Sequence, residues 1–406
     1  MKHTHTVAIY LILLAASAVT VHAGVTVHLV DGQATQGDGI ALASGKLTVT
    51  GAGGAVVGQW AVDDVAEIDF GRAADGGDDA KDARWVMVVG GKLRGTVTAF
   101  NGKAFSVAAN DFGDVDLPVA CVQAVVLAER IPGQLASNDD TPADVIVMSN
   151  MDRLSGTLNA LDDKTVRFHS DLGDLSLDRA RVAAIRIAAP PGGRPKRAVP
   201  ALKLTLAGGT EVELAGVETT ADGKITGTIT GGPAVSVPLA TVVKIGVIGG
   251  RLVYLETFEP GVYEQLSLDI LKWDIRRGLN VLGRPMRLRR DKGQEPREFE
   301  RGIGVHGPCR IVYQLNGQYE RFIALAGVDE SAGRWADANV VVKVDGKETF
   351  RADHVRWREP ARQVNVALAG ARQVELIVEA GEHFDVQDRI NWADARLIRK
   401  AVPADK

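Results

Sequence analysis

The chain has 406 residues, with 47 basic and 51 acidic side chains and a formal net charge of −4 at pH 7. This balance gives no electrostatic reason to expect nucleic acid or an anionic membrane as a partner, and the length allows two or more domains with cores of their own. The 45 glycines and the aromatic content of only 5% favour many short strands joined by tight turns, because glycine reaches positive φ without strain.

The N-terminal segment has the pattern of a signal peptide. Met1 and Lys2 precede an apolar run of 15 residues from Val7 to Val21, which suits the apolar region of a signal peptide better than a membrane span. We therefore expect cleavage after Ala23, removal of residues 1–23, and a secreted, periplasmic or cell-surface protein with no membrane span after cleavage. An uncleaved anchor helix is the alternative.

The next part of the chain is an internal repeat. Two aliphatic residues three positions apart close each unit, and these pairs recur at spacings of 57, 60 and 60 residues: Val65/Ile68, Val122/Val125, Val182/Ile185 and Val242/Ile245. Within each unit, apolar and polar residues alternate with the period of two that is typical of half-buried strands. The pattern predicts four small β-barrel-like repeats with a period of about 60 residues, at 24–71, 85–128, 145–188 and 201–250.

Each repeat has the size of a small Sm-like or SH3-like barrel, and a glycine follows its opening turn where a strand must bend: Gly37, Gly95, Gly156 and Gly216. The segments between repeats are rich in Ala, Asp, Gly and Pro and are predicted to be exposed linkers. The repeats contain no credible catalytic set, so we interpret them as a scaffold whose partners the sequence does not identify. Cys121 and Cys309 fall in different predicted domains, which favours two buried thiols over a disulfide.

The composition changes at Val253, beyond which four of the six tryptophans lie. Alternating segments predict strands at 310–315, 321–327, 339–344, 364–367, 374–379 and 393–398, and Asp345-Gly346 predicts a hairpin turn between Val344 and Lys347. An antiparallel β-sandwich over residues 253–400 is the predicted fold of this module.

Five motifs in this module occur in the order found in a known family. They are Arg301-Gly302-Ile303-Gly304-Val305-His306, Ile311-Val312-Tyr313-Gln314-Leu315, Gly327-Val328-Asp329-Glu330, Val340-Val341-Val342-Lys343-Val344-Asp345-Gly346 and Asp388-Arg389-Ile390-Asn391-Trp392-Ala393-Asp394. This module resembles the NPCBM family, carbohydrate-binding modules found beside glycoside hydrolase family 98 domains. The resemblance implies a galactose-binding-like jelly-roll sandwich that binds glycans without catalysis. Residues 389–391 depart from the family pattern, so the resemblance does not carry a sugar specificity.

Sugar recognition combines an aromatic face with polar groups that bind hydroxyls. Trp335 is the best candidate platform because it lies in a loop of small and polar residues, and Trp357 and residues 383–388 are further loop candidates. The proposed carbohydrate-binding residues are Trp335, Asp337, His306, Asp329, Asp388, Trp392 and Asp394. For His306, Asp329, Trp392 and Asp394, which carry the family pattern, a purely fold-keeping role as a buried hydrogen-bond network is the competing interpretation.

Three further alternatives stay open. No cofactor is expected, but a structural calcium held by Asp329, Asp337, Asp385 and Asp388 is a second interpretation of the acidic loop residues. The dense arginines of residues 276–301 indicate either a solvated surface or a patch for acidic glycans. The expected function is that of an exported, non-catalytic glycan-binding protein. A surface or matrix protein that does not bind sugar is the alternative, and a glycoside hydrolase is the least favoured, because no acidic pair stands on a catalytic scaffold.

Overall fold

The computed structural model describes residues 24–73, 84–128, 142–266 and 272–401. The regular elements in these ranges are β-strands and short 3-10 turns, so the all-β prediction is confirmed. The predicted signal peptide lies outside the described residues, as do most of the first two predicted linkers. The described ranges contain no helix long and apolar enough to cross a membrane.

Strands β1 to β21 make up the first part of the chain. Their bounds are Val25–Leu29, Ala34–Gly37, Gly39–Ala43, Lys46–Thr50, Val56–Ala61, Val65–Asp69, Trp85–Val88, Gly91–Phe100, Ala104–Ala109, Gly113–Pro118, Val122–Val126, Asp144–Met148, Arg153–Leu161, Thr165–Ser170, Gly173–Asp178, Val182–Arg186, Ala201–Leu206, Glu211–Thr219, Lys224–Ile229, Ala234–Pro238 and Val242–Ile248. The 3-10 turns of this part are Ala52–Gly54, Val62–Asp64, Val119–Cys121, Arg179–Arg181 and Leu239–Thr241.

The same strand order occurs four times, in β1–β6, β7–β11, β12–β16 and β17–β21, which we call repeats 1 to 4. In each repeat the strands follow one another as an antiparallel meander, and a 3-10 turn leads into the last strand. The last strand then pairs with the first, β6 with β1, β11 with β7, β16 with β12 and β21 with β17. This return of the chain is what a small barrel requires; the exact domain limits stay a prediction.

The bend of the long second strand explains one of the recurring glycines. The first half of β8 pairs with β7 and its second half with β9, and the change occurs at Gly95. A Cβ at Gly95 would lie 2.7 Å from the backbone oxygen of Ala108, closer than a side chain tolerates. Gly156 in repeat 3 approaches the backbone of His169 in the same way. Gly216 has open space instead and is required for its φ of +60°.

The repeats pair with each other rather than standing apart. Strand β6 of repeat 1 pairs with β21 of repeat 4, and β11 of repeat 2 pairs with β16 of repeat 3. Arg72, which follows repeat 1, donates to the backbone oxygens of Leu239 and Val242 in repeat 4. One continuous apolar core includes residues of all four repeats. The first and last repeats are therefore neighbours, which brings the start of the C-terminal module next to repeat 1.

The C-terminal module contains strands β22 to β34. Their bounds are Leu252–Tyr254, Val262–Gln265, Arg276–Arg277, Met286–Leu288, Arg297–Phe299, Gly302–His306, Cys309–Gln314, Tyr319–Val328, Asp337–Val344, Lys347–Arg356, Arg362–Ala367, Gln373–Ala380 and Arg389–Arg399, and a 3-10 turn spans Leu255–Thr257.

These strands form two main sheets. One has the order β24-β27-β34-β29-β32, with β22 also on β34, and the other has the order β23-β28-β33-β30-β31. A second apolar core includes residues of both sheets, and Trp392, Tyr313 and Phe322 are its largest fully buried side chains. Strands β25 and β26 form a separate hairpin. The two cysteines are free and buried, as expected.

The C-terminal module touches repeat 1 directly. The Arg251 guanidinium forms ion pairs with Asp64 of repeat 1 and Glu320 of the sandwich. Beside it, Val30 packs against Ile323 and Ile398 in a small apolar cluster. The sandwich is therefore attached to the repeats through side chains as well as through the chain itself.

Candidate functional site

Two loops lie side by side at one end of the sandwich, residues 329–336 between β29 and β30 and residues 381–388 between β33 and β34. Arg389 at the start of β34 donates to the Ser331 oxygen at 2.6 Å, and the amide of Asp337 donates to Asp388 Oδ1 at 3.0 Å. We call the surface formed by these two loops the loop face. It brings together residues that are about 50 positions apart in the sequence.

The loop face exposes three large apolar side chains. Trp335 is 46% exposed, Phe384 is 75% exposed and Val386 is 47% exposed. Phe384 also has a φ of +57°, an uncommon conformation for a bulky residue, which holds it in the turn that exposes it. Exposed aromatic residues next to polar loops are typical of surfaces that receive a ligand.

Trp335 is held from two sides. Its ring meets the His383 ring edge-on, with centroids 5.1 Å apart and an interplanar angle of 86°. The Arg334 guanidinium lies over the same indole, 4.8 Å from the ring centroid. The two neighbours orient the indole and still leave nearly half of the side chain exposed.

Asp337 is buried at the base of the loop face. Its carboxylate contacts His354 Nδ1 at 3.1 Å and Arg356 Nη2 at 3.2 Å. Burial acts to raise the pKa of Asp337, but the hydrogen bonds with His354 and Arg356 outweigh it and hold the pKa below its usual value. Arg356 also pairs with Glu382 of the neighbouring loop. Asp337 therefore fixes the position of the loops and has no open access to a sugar.

Asp388 is also fully buried. Its Oδ1 accepts the Asp337 amide, whereas Oδ2 has no hydrogen-bond partner among the described residues. Burial, together with a smaller contribution from the nearby carboxylates of Asp337 and Asp385, raises its pKa to about 7. Asp388 is thus a buried acid that supports the loop face from beneath and does not reach the surface.

Asp329 is buried and accepts four hydrogen bonds. Its Oδ1 accepts from Asn280 Nδ2 and the Ser331 amide, and its Oδ2 accepts from the Arg287 amide and Asn391 Nδ2. These donors use the lone pairs that a sugar hydroxyl or a cation would need. The structure therefore corrects the assignment of Asp329 to a sugar or calcium site, because its role is to join two strands to two loops.

The remaining candidates from the family pattern, His306, Trp392 and Asp394, lie on strands β27 and β34, outside the two loops that form the loop face. Trp392 is fully buried and cannot stack on a sugar. His306 is buried, and its ring stacks on Trp273 with centroids 4.9 Å apart. Asp394 has a φ of +48°, and its amide donates to the Arg301 oxygen. The Trp392 indole N–H has no hydrogen-bond partner among the described residues, so it does not join the predicted network with Asp394 and His306. The burial of Trp392 and His306 agrees with the fold-keeping interpretation.

The four proposed calcium ligands also do not fit one site. Within the described ranges, the one group of potential ligands close together consists of Asp337, His354 and Glu382, whose ligand atoms lie within 4.8 Å of one another. The Arg356 guanidinium contacts both carboxylates of this group. A cation would have to compete with that fixed positive charge, so the donor set fits an ion-pair cluster better than calcium.

The sequence named residues 383–388 as loop candidates but did not single out Phe384 and Val386 as exposed side chains. The signal was present, because His383 to Gln387 alternates apolar and polar residues inside a loop that contains three acidic residues. It also missed that Arg334 stacks on Trp335, which adjacent positions in a loop do not reveal. Only Trp335 among the seven proposed residues has a largely exposed side chain.

Comparisons with known proteins agree with the resemblance seen in the sequence. A protein of Renibacterium salmoninarum named "Putative endo-alpha-N-acetylgalactosaminidase" is 25% identical over 103 residues, which are 25% of this chain and 7% of the relative. This chain therefore spans a small fraction of the curated relative that it matches.

Two of the similar solved structures contain CBM51 modules. The module from the Clostridium perfringens family 95 glycoside hydrolase, in complex with methyl-galactose, is 26% identical, with 36% of this chain and 99% of that chain covered and a TM-score of 0.33. The tandem modules of a Streptococcus pneumoniae family 98 glycoside hydrolase are 14% identical, with 76% and 84% covered and a TM-score of 0.33. The model of the family described as NPCBM/NEW2 domain matches residues 265–398. Over residues 265–398, the C-terminal module of this chain is therefore similar to the NPCBM/NEW2 domain.

Proposed function

We propose that this chain is an exported, non-catalytic protein whose C-terminal module binds a glycan through the loop face. The observation that carries the proposal is the exposed trio Trp335, Phe384 and Val386 on a domain whose family model matches residues 265–398. An indole or phenyl face packs against the C–H side of a pyranose, while polar groups at the rim bind its hydroxyls.

The loop face offers such polar groups at its rim. The His383 ring is in contact with Trp335. Gln387 in the same loop is partly exposed, although its Oε1 is buried and has no hydrogen-bond partner among the described residues. Gln387 packs against Gly333 of the other loop, so it lies where the two loops meet. We expect these groups to orient a sugar that stacks on the exposed aromatic rings.

A hydrolase would need two carboxyl groups facing each other across a cleft. On the loop face, Asp329 and Asp388 are buried, Glu330 pairs with Arg289 and Glu382 pairs with Arg356. These acids are committed to structural contacts. This arrangement supports binding without catalysis, and the four repeats then serve as the scaffold of the binding module.

The test measures binding of the purified full chain to a broad panel of polysaccharides and oligosaccharides. For a glycan that binds, Trp335→Ala should weaken the affinity by about 5- to 150-fold, since removing one buried aromatic contact costs about 1–3 kcal/mol. Phe384→Ala should also weaken the affinity for this glycan. The control is Leu172→Ala in repeat 3, which removes a side chain that is 82% exposed and should leave binding unchanged.

Two results would contradict the proposal. In the first, Trp335→Ala and Phe384→Ala bind as tightly as the wild type, which would place the site elsewhere on the chain. In the second, the wild-type chain binds no glycan in the panel, which would favour a structural or interaction role for the whole protein.

A further inference from the structure

We infer that the glycan bound at the loop face is anionic, carrying a carboxylate or a sulfate ester on its sugars. The inference rests on the proposed function and adds the chemical class of the ligand. Its basis is a group of arginines around residues 329–336, one of which, Arg334, lies over the exposed Trp335 ring.

The charge distribution gives the first observation. Residues 276–301 contain nine basic and four acidic side chains, a local charge of +5, although the whole chain has a net charge of −4. Part of this segment forms the β25–β26 hairpin. Met286 and Leu288 on β25 are buried and Arg287 between them is exposed, so the strand alternation directs Arg287 away from the core.

This hairpin is joined to the loop face. The Arg287 amide donates to Asp329 Oδ2 at 3.1 Å, and the Glu330 amide donates to the Arg287 oxygen at 3.0 Å. The exposed Arg287 side chain therefore starts from backbone that is tied to the first residues of the Trp335 loop. A +5 segment in this position raises the local concentration of anions around the loop face.

Two arginines lie over tryptophan rings in the same region. The Arg334 guanidinium is 4.8 Å from the Trp335 ring centroid, and the Arg358 guanidinium is 4.2 Å from the Trp357 ring centroid. Trp357 in turn donates its indole N–H to the Glu330 oxygen at 3.1 Å. Both stacked pairs are thus connected to the loop of residues 329–336.

A guanidinium stacked on an aromatic ring keeps its N–H groups directed outward in the plane of the group. That arrangement suits bidentate hydrogen bonds to a carboxylate or a sulfate, and stacking reduces the loss of side-chain entropy on binding. The aromatic ring and the arginine then recognise different parts of the same sugar, its C–H face and its anionic substituent.

Several other arginines in this region, including Arg358 beside Glu330, already have carboxylate partners. Arg277 pairs with Glu259, Arg289 with Glu330 and Arg301 with Glu256. Arg287 and Arg334 have no carboxylate partner within the described ranges, although both are exposed. Their charge is therefore available to a ligand, and a neutral glycan would not use it.

The test compares matched pairs of ligands on the full chain. Chondroitin sulfate is compared with its chemically desulfated form, which keeps the glucuronate carboxylates, and polygalacturonate with a neutral galactan, each by calorimetry at 50 and 300 mM NaCl. The wild type should bind the more highly charged member of at least one pair at least tenfold more tightly than the other member, and this preference should shrink at the higher salt concentration. The two ligand pairs distinguish a sulfate from a carboxylate as the recognised group.

Arginine variants then identify which positive charge contributes to binding of the anionic ligand. Arg334→Gln should lose at least tenfold in affinity for the anionic ligand and keep its affinity for the neutral one, and Arg287→Gln should show a smaller loss. The matched control is Arg167→Gln on β14 of repeat 3, which removes the same charge from an exposed arginine and should change neither affinity.

Three outcomes would overturn the inference. Equal binding of neutral and anionic ligands, with Arg334→Gln unaffected, would refute the anionic class and leave the proposed glycan binding intact. An equal loss of affinity in Arg167→Gln would show that the net charge of the protein attracts the anionic ligand without a specific site. Absence of binding to any neutral or anionic glycan would refute the proposed function together with this inference.

Discussion

The contrast between Trp392 and Trp335 offers a direct test of which tryptophan maintains the sandwich. Trp392 on β34 is fully buried, and its ring centroid lies 6.4 Å from that of Phe322 on β29. Replacing it by alanine removes the largest fully buried side chain of the core and leaves a cavity, which costs about 3–5 kcal/mol in the free energy of unfolding. Domains of this kind have a total of about 5–15 kcal/mol, so Trp392→Ala should bring the sandwich close to unfolding.

Trp335→Ala should change the free energy of unfolding by no more than about 0.5 kcal/mol, because the side chain is nearly half exposed on the loop face. The assay is urea unfolding of the full chain followed by far-ultraviolet circular dichroism, which does not depend on the fluorescence of the residue removed. Trp392→Phe is the intermediate variant, since the Trp392 indole N–H has no acceptor among the described residues and no hydrogen bond is lost. Equal urea midpoints for Trp392→Ala and Trp335→Ala would refute the assignment of core and surface.

Three further predictions concern buried polar groups. Burial raises the pKa of Asp388 from 3.8 to about 7 in the folded state. The neutral form of Asp388 therefore contributes fully to the free energy of unfolding below pH 4, and this contribution is lost as the pH rises through 7. Asp388→Asn should flatten this dependence, so that its melting temperature relative to wild type increases between pH 5 and pH 8. Asp329→Ala should lower the free energy of unfolding by at least about 3 kcal/mol in chemical denaturation, since two buried and two partly buried donors lose their acceptor. Unchanged stability would contradict the role given to Asp329. Burial raises the pKa of Cys121 to about 11 and that of Cys309 to about 12, so neither thiol should react with a disulfide reagent at pH 8 before the protein is unfolded.

The sequence predicted the strands of the buried sheets better than those at the edges. The segment predicted at 374–379 is observed as Gln373–Ala380, and 321–327 is observed within Tyr319–Val328, because central strands are rich in aliphatic residues. The ten-residue strand Lys347–Arg356 was not predicted. It is an edge strand that pairs only with β30 among the described residues, so most of its side chains face solvent and apolar alternation is absent.

The candidate site was harder to predict than the fold because it depends on which side chains are exposed. His306 and Asp329 carry the family pattern, yet both are buried, since a recurring motif in a sandwich also contains the residues that hold its strands together. Trp335 was identified correctly as an exposed loop residue because its neighbours are small. The contact between Trp335 and His383 joins two loops that are far apart in sequence, and no local pattern contains that information.

The joint between the repeats and the sandwich determines whether the scaffold and the binding module unfold as one unit. Arg251 is only 18% exposed and pairs with Asp64 of repeat 1 and Glu320 of the sandwich, so Arg251→Ala should lower stability by about 1–2 kcal/mol. Because the lost contacts cross between the two parts, calorimetry should resolve two transitions in the variant, whereas we expect one in the wild type. The matched control is Arg310→Ala, whose two carboxylate partners, on β23 and β33, both belong to the sandwich, and which should lower the melting temperature without separating the transitions. A single transition in Arg251→Ala, or a separation caused equally by Arg310→Ala, would show that Arg251 does not couple the two parts.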